Sequence, residues 1–312
     1  MKNVTIVLFL IFNLVFASGV KISKENFKLI ESNSQNSSIL FESESFNLES
    51  VDGKKQFSMN DLSGYTMEEG YPQLPVHSTL FQINPSKTYE IGYEIIESYT
   101  LNDVELKNYK KDLESPYSVY PENNIYISEP QVMRDVVLNQ IGFIPYKYYP
   151  DENKLVVYQS VQINIAESGD SDLEYFLPQK KSRVFEELYQ NSIINYERST
   201  SSEDYQVSSI LYICGGNSCS NSYFQDLVEW RHKQGYIVTV VPTSESGSSE
   251  NSINNYISNA YYLWENPPEI VGLVGDVGGS YNIACDYYEW GSGWNTYEGA
   301  SDVKYTYIEG ND

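Results

Sequence analysis

The sequence predicts an α+β multidomain chain in which an all-β sandwich is followed by an α/β domain with a parallel sheet. Two observations carry this. Upstream of about residue 166 apolar and polar residues alternate, most clearly in Lys154 to Ala166, where Leu155, Val157, Val161, Ile163 and Ile165 share one face and Gln159 is its polar member. From Ser209 onward the period changes to strand, helix, strand, helix, strand, and two crossovers joining three apolar strands require a parallel sheet with right-handed connections.

The α/β series opens with Ile210-Leu211-Tyr212-Ile213-Cys214, a short β-forming run. A helix follows: Phe224, Leu227, Val228 and Arg231 recur at helical spacing behind Asn221 or Ser222 as cap, and Gly235 ends the pattern. Tyr236 to Val241 is the second strand, stopped by Pro242. Ile253, Ile257, Ala260, Tyr261 and Trp264 make the second helix, broken by Pro267-Pro268, and Ile270 to Val274 is the third strand. In such sheets function gathers at the carboxyl ends of the strands. Cys214 to Ser222, Thr243 to Ser249 and Gly275 onward therefore share one rim, with Asp276 standing on it.

Upstream, Val20 to about Asn60 is rich in Ser, Asn and Glu and reads as short exposed strands, among them Ser38 to Ser43. In Gly70-Tyr71-Pro72-Gln73-Leu74-Pro75-Val76 two prolines fix an extended segment with one apolar residue facing in, leading into a strand over Ser78 to Ile83. Tyr89 to Ser98, Gln131 to Phe143 and Lys154 to Ala166 are further strands of the sandwich. Glu167 to Gln206 is polar and reads as a linker, with Arg183 or Arg198 as a processing site against the alternative of an ordinary solvated connection. The domains expected are a signal peptide over 1–19, a β-rich domain over 20–166, the linker over 167–206 and the α/β part over 207–312.

The chain has 312 residues, enough for roughly two domains. Its net charge of −23 argues against nucleic acid, whose phosphates need clustered Lys and Arg. Lys2 followed by the apolar run Val4 to Ala17 has the form of a secretory signal and is short for a transmembrane helix, so the expected location is secreted or cell surface, with no membrane span. Of three cysteines, Cys214 and Cys219 lie close enough in sequence to bridge, and both being free is the alternative. After Asp276 the chain becomes rich in Gly, Tyr, Trp and acidic residues (Asp286, Asp302, Asp312). A long acidic loop of this kind suits Ca²⁺ or remains simply solvated, so metal ligands stay unassigned. Gly272-x-x-Gly275-x-x-Gly278 follows the third strand, opens no clear helix and puts Asp276 where a phosphate would come, which speaks against a dinucleotide loop.

Nucleophilic cysteine chemistry needs a thiolate beside a His. The histidines are His77, in the β region, and His232, in the basic last turn of the first α/β helix, so neither is expected beside Cys285 on the rim. No catalytic and no cofactor-binding residue is assigned.

The run Trp230-Arg231-His232-Lys233-Gln234-Gly235-Tyr236, then Val238 to Thr243, Glu269 to Asp276 and Ser301-Asp302-x-x-Tyr305, resembles the first half of a gingipain-type cysteine peptidase domain. Gly70, Pro72, Leu74 and Pro75, with Pro145-Tyr146, Tyr149-Pro150 and Leu155, resemble the propeptide that precedes it. The resemblance implies a caspase-like α/β fold and a secreted zymogen whose propeptide contacts the peptidase domain. It also implies protein or peptide substrates, cleaved by acyl transfer to a Cys thiolate and then to water, with no cofactor required for that chemistry. In that pattern the catalytic His follows a later strand in a Thr-Gly-His-Gly type turn, and the Cys follows the strand after. Both are expected beyond Asp312, and the chain alone is expected to be inactive. A non-enzymatic secreted adhesin or binding module is the other reading.

Overall fold

The computed structural model describes residues 25–308 except 34, 59–63, 111–116 and 293–294, and the side chains of 290–296 are likewise outside the description. The expected signal peptide and Asp312 lie outside the described residues. Two compact units are present. One is built from the chain up to Thr79 with Glu90–Ser128 and Gln140–Ala166, the other from Leu80–Tyr89, Glu129–Asn139 and everything from Glu167 on.

In chain order the β-rich part runs β1 (Phe27–Ser32), β2 (Asn36–Glu42), β3 (Leu48–Val51), β4 (Lys54–Phe57), β5 (Gly64–Tyr65), β6 (Pro75–Gln82), β7 (Lys87–Leu101), β8 (Ile125–Ile127), β9 (Gln131–Met133), β10 (Val136–Phe143), β11 (Tyr146–Tyr149) and β12 (Lys154–Asp170). One sheet has the order β1-β2-β12-β11, with β7 also on β12, and the other the order β5-β6-β10-β8, with β9 also on β10. Within the first unit the two sheets face each other: the Phe41 ring of β2 lies 4.9 Å from Phe143 of β10 and 5.4 Å from His77 of β6. Leu74, Val76, Tyr146, Leu155 and Val157 belong to one buried cluster in the same unit. The Pro-rich approach to β6 is extended as expected. Leu74 is buried, and its backbone is tied to Thr66 by Thr66 N–H to the Leu74 carbonyl (2.9 Å) and Leu74 N–H to Thr66 Oγ1 (2.9 Å).

Three expectations for this part need correction. Ser38 to Ser43 is not an exposed strand, because Ile39 and Phe41 of β2 are both 0% exposed and β2 sits between β1 and β12. Ser37 shares the buried face with Ile39 and Phe41, so the polar residues at the start of β2 hid it. Gln131 to Phe143 is not one strand but the hairpin β9–β10, with Val136 opposite Met133 and Arg134 at the turn in a left-handed conformation (φ 54°). In β12 the alternation slips at Tyr158 and Gln159: Tyr158 is buried and Gln159 exposed, which spares the polar side chain from the core.

The stretch 167–206 carries more structure than a solvated linker. Helix α1 (Glu186–Ser192) buries Tyr189 and packs with Ile193 against Leu80, Val136 and Leu138 in the second unit. Lys181 pairs with Tyr205 through Lys181 N–H to the Asp204 carbonyl (2.7 Å) and Gln206 N–H to the Lys181 carbonyl (3.0 Å), and Ser182 is 0% exposed. Arg198, by contrast, has a side chain 58% exposed, in a stretch with neither helix nor strand. Proteases need several residues of free extended backbone. Limited trypsin digestion should therefore cut after Arg198 before it cuts after Lys181 or Arg183, as read by mass spectrometry of the earliest fragments.

The α/β part follows the expected series: β13 (Ser209–Cys214), α2 (Ser222–Lys233), β14 (Ile237–Pro242), a short α3 (Thr243–Ser246), α4 (Glu250–Leu263) and β15 (Ile270–Val274). The sheet is parallel in the order β14-β13-β15, with Ile213 beside Val241 on one side and Leu273 on the other. Asn221 caps α2, accepting from the backbone N–H of Tyr223 and Phe224, and Gly235 turns the chain at φ 92°. Alternate residues of the buried central strand serve the two faces. Ile210, Tyr212 and Cys214 meet Phe224 of α2, while Leu211 and Ile213 meet Ile253, Ile257 and Ala260 of α4. An antiparallel hairpin, β16 (Asp286–Ser292) and β17 (Asn295–Ser301), follows, and after it a 3-10 turn over Val303–Thr306.

Candidate functional site: the carboxyl rim of the parallel sheet

Parallel packing brings the ends of β13 and β15 side by side, and two hydrogen bonds weld them into a rim. Gly215 N–H donates to the Val274 carbonyl (3.0 Å), and Ser218 Oγ donates to the same oxygen (2.6 Å). Cys214 and Cys219 form a disulfide with Cα atoms 5.5 Å apart, closing the turn that leads into α2. The segment after β15 then folds back over the strand ends. Asp276 N–H donates to the Tyr281 carbonyl (3.0 Å), Ile283 N–H to the Asp276 carbonyl (3.0 Å), and Gly278 N–H to Asn282 Oδ1 (2.6 Å).

Asp276 is exposed on this rim, and its Oδ1 accepts from the Val277 N–H at 2.8 Å. Cys285 is a free, half-buried thiol just beyond the fold-back. It bonds the Tyr287 hydroxyl, which holds the Tyr287 phenol above its usual range. Neither histidine accompanies it within the α/β layers. His232 is exposed in the last turn of α2, which runs back from the rim to the amino edge of the sheet, and His77 lies buried in the first unit. The rim thus holds a carboxylate, a thiol and backbone donors, but among the described residues no imidazole that would take a proton from Cys285.

The acidic loop does not assemble a cation cage among the described residues: no group of three or more His, Cys, Asp or Glu side chains converges. Asp286 is taken instead by Lys304, at 3.0 Å, which also reaches Glu250 at 3.3 Å.

Sequence reasoning missed a second polar cluster at the opposite, amino-terminal edge. Arg134 and Asp135, at the β9–β10 turn, have side chains only 5% and 3% exposed. Tyr189 Oη lies 2.8 Å from Asp135 Oδ1 and 2.9 Å from the Met133 carbonyl. Burial pushes the Asp135 carboxyl up, against the pull of Tyr189 and Arg134. Adjacent charges inside an apolar run were the available signal, since a central strand would have to bury both without partners.

The chain therefore combines paired antiparallel sheets with a three-stranded parallel α/β sheet whose carboxyl rim, among the described residues, has no imidazole beside the Cys285 thiol. Residues 81–203 match the Propeptide_C25 family model. Gingipain R1 of Porphyromonas gingivalis is 23% identical over 295 residues, covering 84% of this chain and 29% of that protein. Gingipain R2 of the same organism is 22% identical over 233 residues, covering 67% of this chain and 31% of that protein. The chain thus spans less than a third of the length of these curated relatives. Among solved structures, the complex of Porphyromonas gingivalis RgpB pro- and mature domains aligns with a TM-score of 0.44 at 19% identity, covering 56% of this chain and 100% of that one. A structure addressing zymogenic latency of gingipain K from the same organism aligns with a TM-score of 0.38 at 12% identity, covering 46% of this chain and 92% of that one.

Proposed function

We propose that the chain is the leading portion of a secreted precursor of a cysteine endopeptidase. The region up to about Gln206 serves as propeptide, and Val207 onward begins a caspase-like peptidase domain. The observation that carries this reading is the propeptide match over 81–203, followed directly by a parallel sheet with a formed carboxyl rim. Nucleophile and base come from strands following β15, and the rim supplies the platform on which a peptide lies. A thiolate there attacks the scissile carbonyl, the amine leaves with a proton delivered by His, and water releases the acyl group.

Residues 20–312 assayed on a mixed peptide library should be inert, because no imidazole stands ready beside the Cys285 thiol. A longer natural chain, freed of its propeptide, should cleave the library and be stopped by thiol alkylation, with Cys285→Ala leaving that activity in place. Cleavage by 20–312 that Cys285→Ala abolishes would put the nucleophile at Cys285 and overturn this assignment. An inert longer chain under reducing conditions with Ca²⁺ would favour a secreted binding module.

A further inference from the structure

The turn before β15 is chemically lopsided. Neither Pro267 nor Pro268 has a backbone N–H, so the stretch offers carbonyl oxygens without the amide donors that normally alternate with them. Burying such a turn demands donors from elsewhere. Gln206 Nε2 and Ser209 Oγ both donate to the Pro267 carbonyl, at 2.9 and 2.7 Å. The remaining demand is met by Arg134, whose guanidinium donates to the Pro268 carbonyl (3.1 Å), to Gln206 Oε1 (2.8 Å) and, more loosely, to the Pro267 carbonyl (3.4 Å). Guanidinium is a donor-only fork that cannot shed its charge, the complement of an acceptor-only turn.

The backbone around Arg134 is fixed as firmly. Its carbonyl accepts from Tyr261 Oη of α4 at 2.9 Å, its guanidinium carbon stands 5.8 Å from the centre of the Phe185 ring, and Asp135 lies 3.8 Å from its Nε. Arg134, Asp135, Phe185 and Tyr189 all fall inside the propeptide match over 81–203, whereas Gln206, Ser209, Tyr261 and the two prolines lie beyond it. This cluster therefore bridges the two sides of the exposed stretch that holds Arg198.

We propose that the β9–β10 turn, through Arg134, is the anchor that retains the propeptide region on residues 207–312 by gripping the Pro267-Pro268 carbonyls and the Gln206 amide. It acts at the amino edge of the parallel sheet, so retention is separable from anything that happens at the rim. The biological sense of this anchor rests on the precursor reading, but its chemistry does not. A buried Arg at the centre of such a contact is the type of residue whose truncation dominates an interface, because its acceptors are left unpaired.

The test cuts the chain without separating it. Residues 20–312 with a specific protease site inserted after Thr200 are cleaved to completion, and retention of the two pieces is followed by size exclusion and by dilution. The wild-type pieces should stay together. Arg134→Ala should weaken their association at least about 30-fold, and Arg134→Lys nearly as much, since one ammonium cannot span three acceptors. Gln206→Ala removes a contact from the other side of the cut without touching the turn. Its loss should be smaller and, combined with Arg134→Ala, less than additive. Should Arg134→Ala fail to fold before cutting, Arg134→Lys and Gln206→Ala carry the comparison. Wild-type pieces that separate on cutting, or Arg134 variants that hold as tightly as wild type, overturn the proposal. Association is read without any peptide assay, so an inert longer chain would sink the precursor reading and leave the anchor standing.

Discussion

Acidification from pH 7 to 4 should strip about 3 kcal/mol from the first unit, through His77 alone. Burial holds this imidazole's pKa down to about 4 from an ordinary 6.5, with the Phe41 ring 5.4 Å away. Between those values the unfolded chain takes a proton that the folded one refuses. Stability is therefore full above pH 6.5, falls as pH drops through the window, and levels below about 4, where folded His77 is protonated too. The exposed carboxylates that pair with lysines do not mimic this. Lys107 holds Asp52 below 3.8 and Lys87 holds Asp170 below 3.8, so their losses come at still lower pH. Asp135, pushed up by burial, works in the opposite sense in the second unit, gaining stability as it is protonated. All four tryptophans lie at or after Trp230, so their fluorescence reports the second unit. Hydrogen exchange at the Ile39 and Phe41 amides of β2 reports the first. His77→Phe should flatten the pH dependence of that exchange between 6.5 and 4, with His77→Gln as a polar control for altered packing. A slope that survives both changes would show that another group sets the acid limit.

What the sequence disclosed, and what it withheld, follows from how local each cause is. The β13-α2-β14-α4-β15 series was legible because its signals sit within a few residues: Asn221 as cap, Gly235 at positive φ, Pro242 and Pro267-Pro268 as stops. The rim followed from topology, and Asp276 falls on it. The burial of Ile39 and Phe41 was not legible, since it depends on β2 lying between β1 and β12, a partner more than a hundred residues away. The order within 167–206 was hidden in the same way, for the burial of Tyr189 and Ile193 depends on Leu80, Val136 and Leu138, from distant parts of the sequence. Arg134 was lost when its turn was merged into one strand. A donor-only side chain meeting a donor-free turn is visible only when both ends are in view.

The rim itself rests on three glycines, and Gly215→Ala should break it. A Cβ at Gly215 would stand 2.1 Å from the Tyr281 carbonyl oxygen and 2.7 Å from that of Asn282, both backbone atoms with no rotamer to yield. Gly216 faces the Ser280 carbonyl oxygen at 2.1 Å and Gly275 the Tyr281 carbonyl oxygen at 2.3 Å, so the fold-back lies against bare backbone along its length. Relief requires residues 280–282 to lift, and the Asp276 and Ile283 amides then lose the bonds that close the loop. Overpacking of this kind costs about 1–3 kcal/mol. The control is Gly278→Ala: unlike Gly215, that residue is at positive φ (86°), and nothing lies within 4 Å of its Cβ position. It should suffer backbone strain of about 1 kcal/mol and keep the loop closed. Hydrogen exchange should show Asp276 and Ile283 deprotected in Gly215→Ala and protected in Gly278→Ala, while the Tyr212 and Ile213 amides of β13 stay protected in both. Equal protection in the two variants would mean that the fold-back is not held by close approach to Gly215. The Val274 carbonyl, shared by Gly215 N–H and Ser218 Oγ, would then be the tie that shapes the rim.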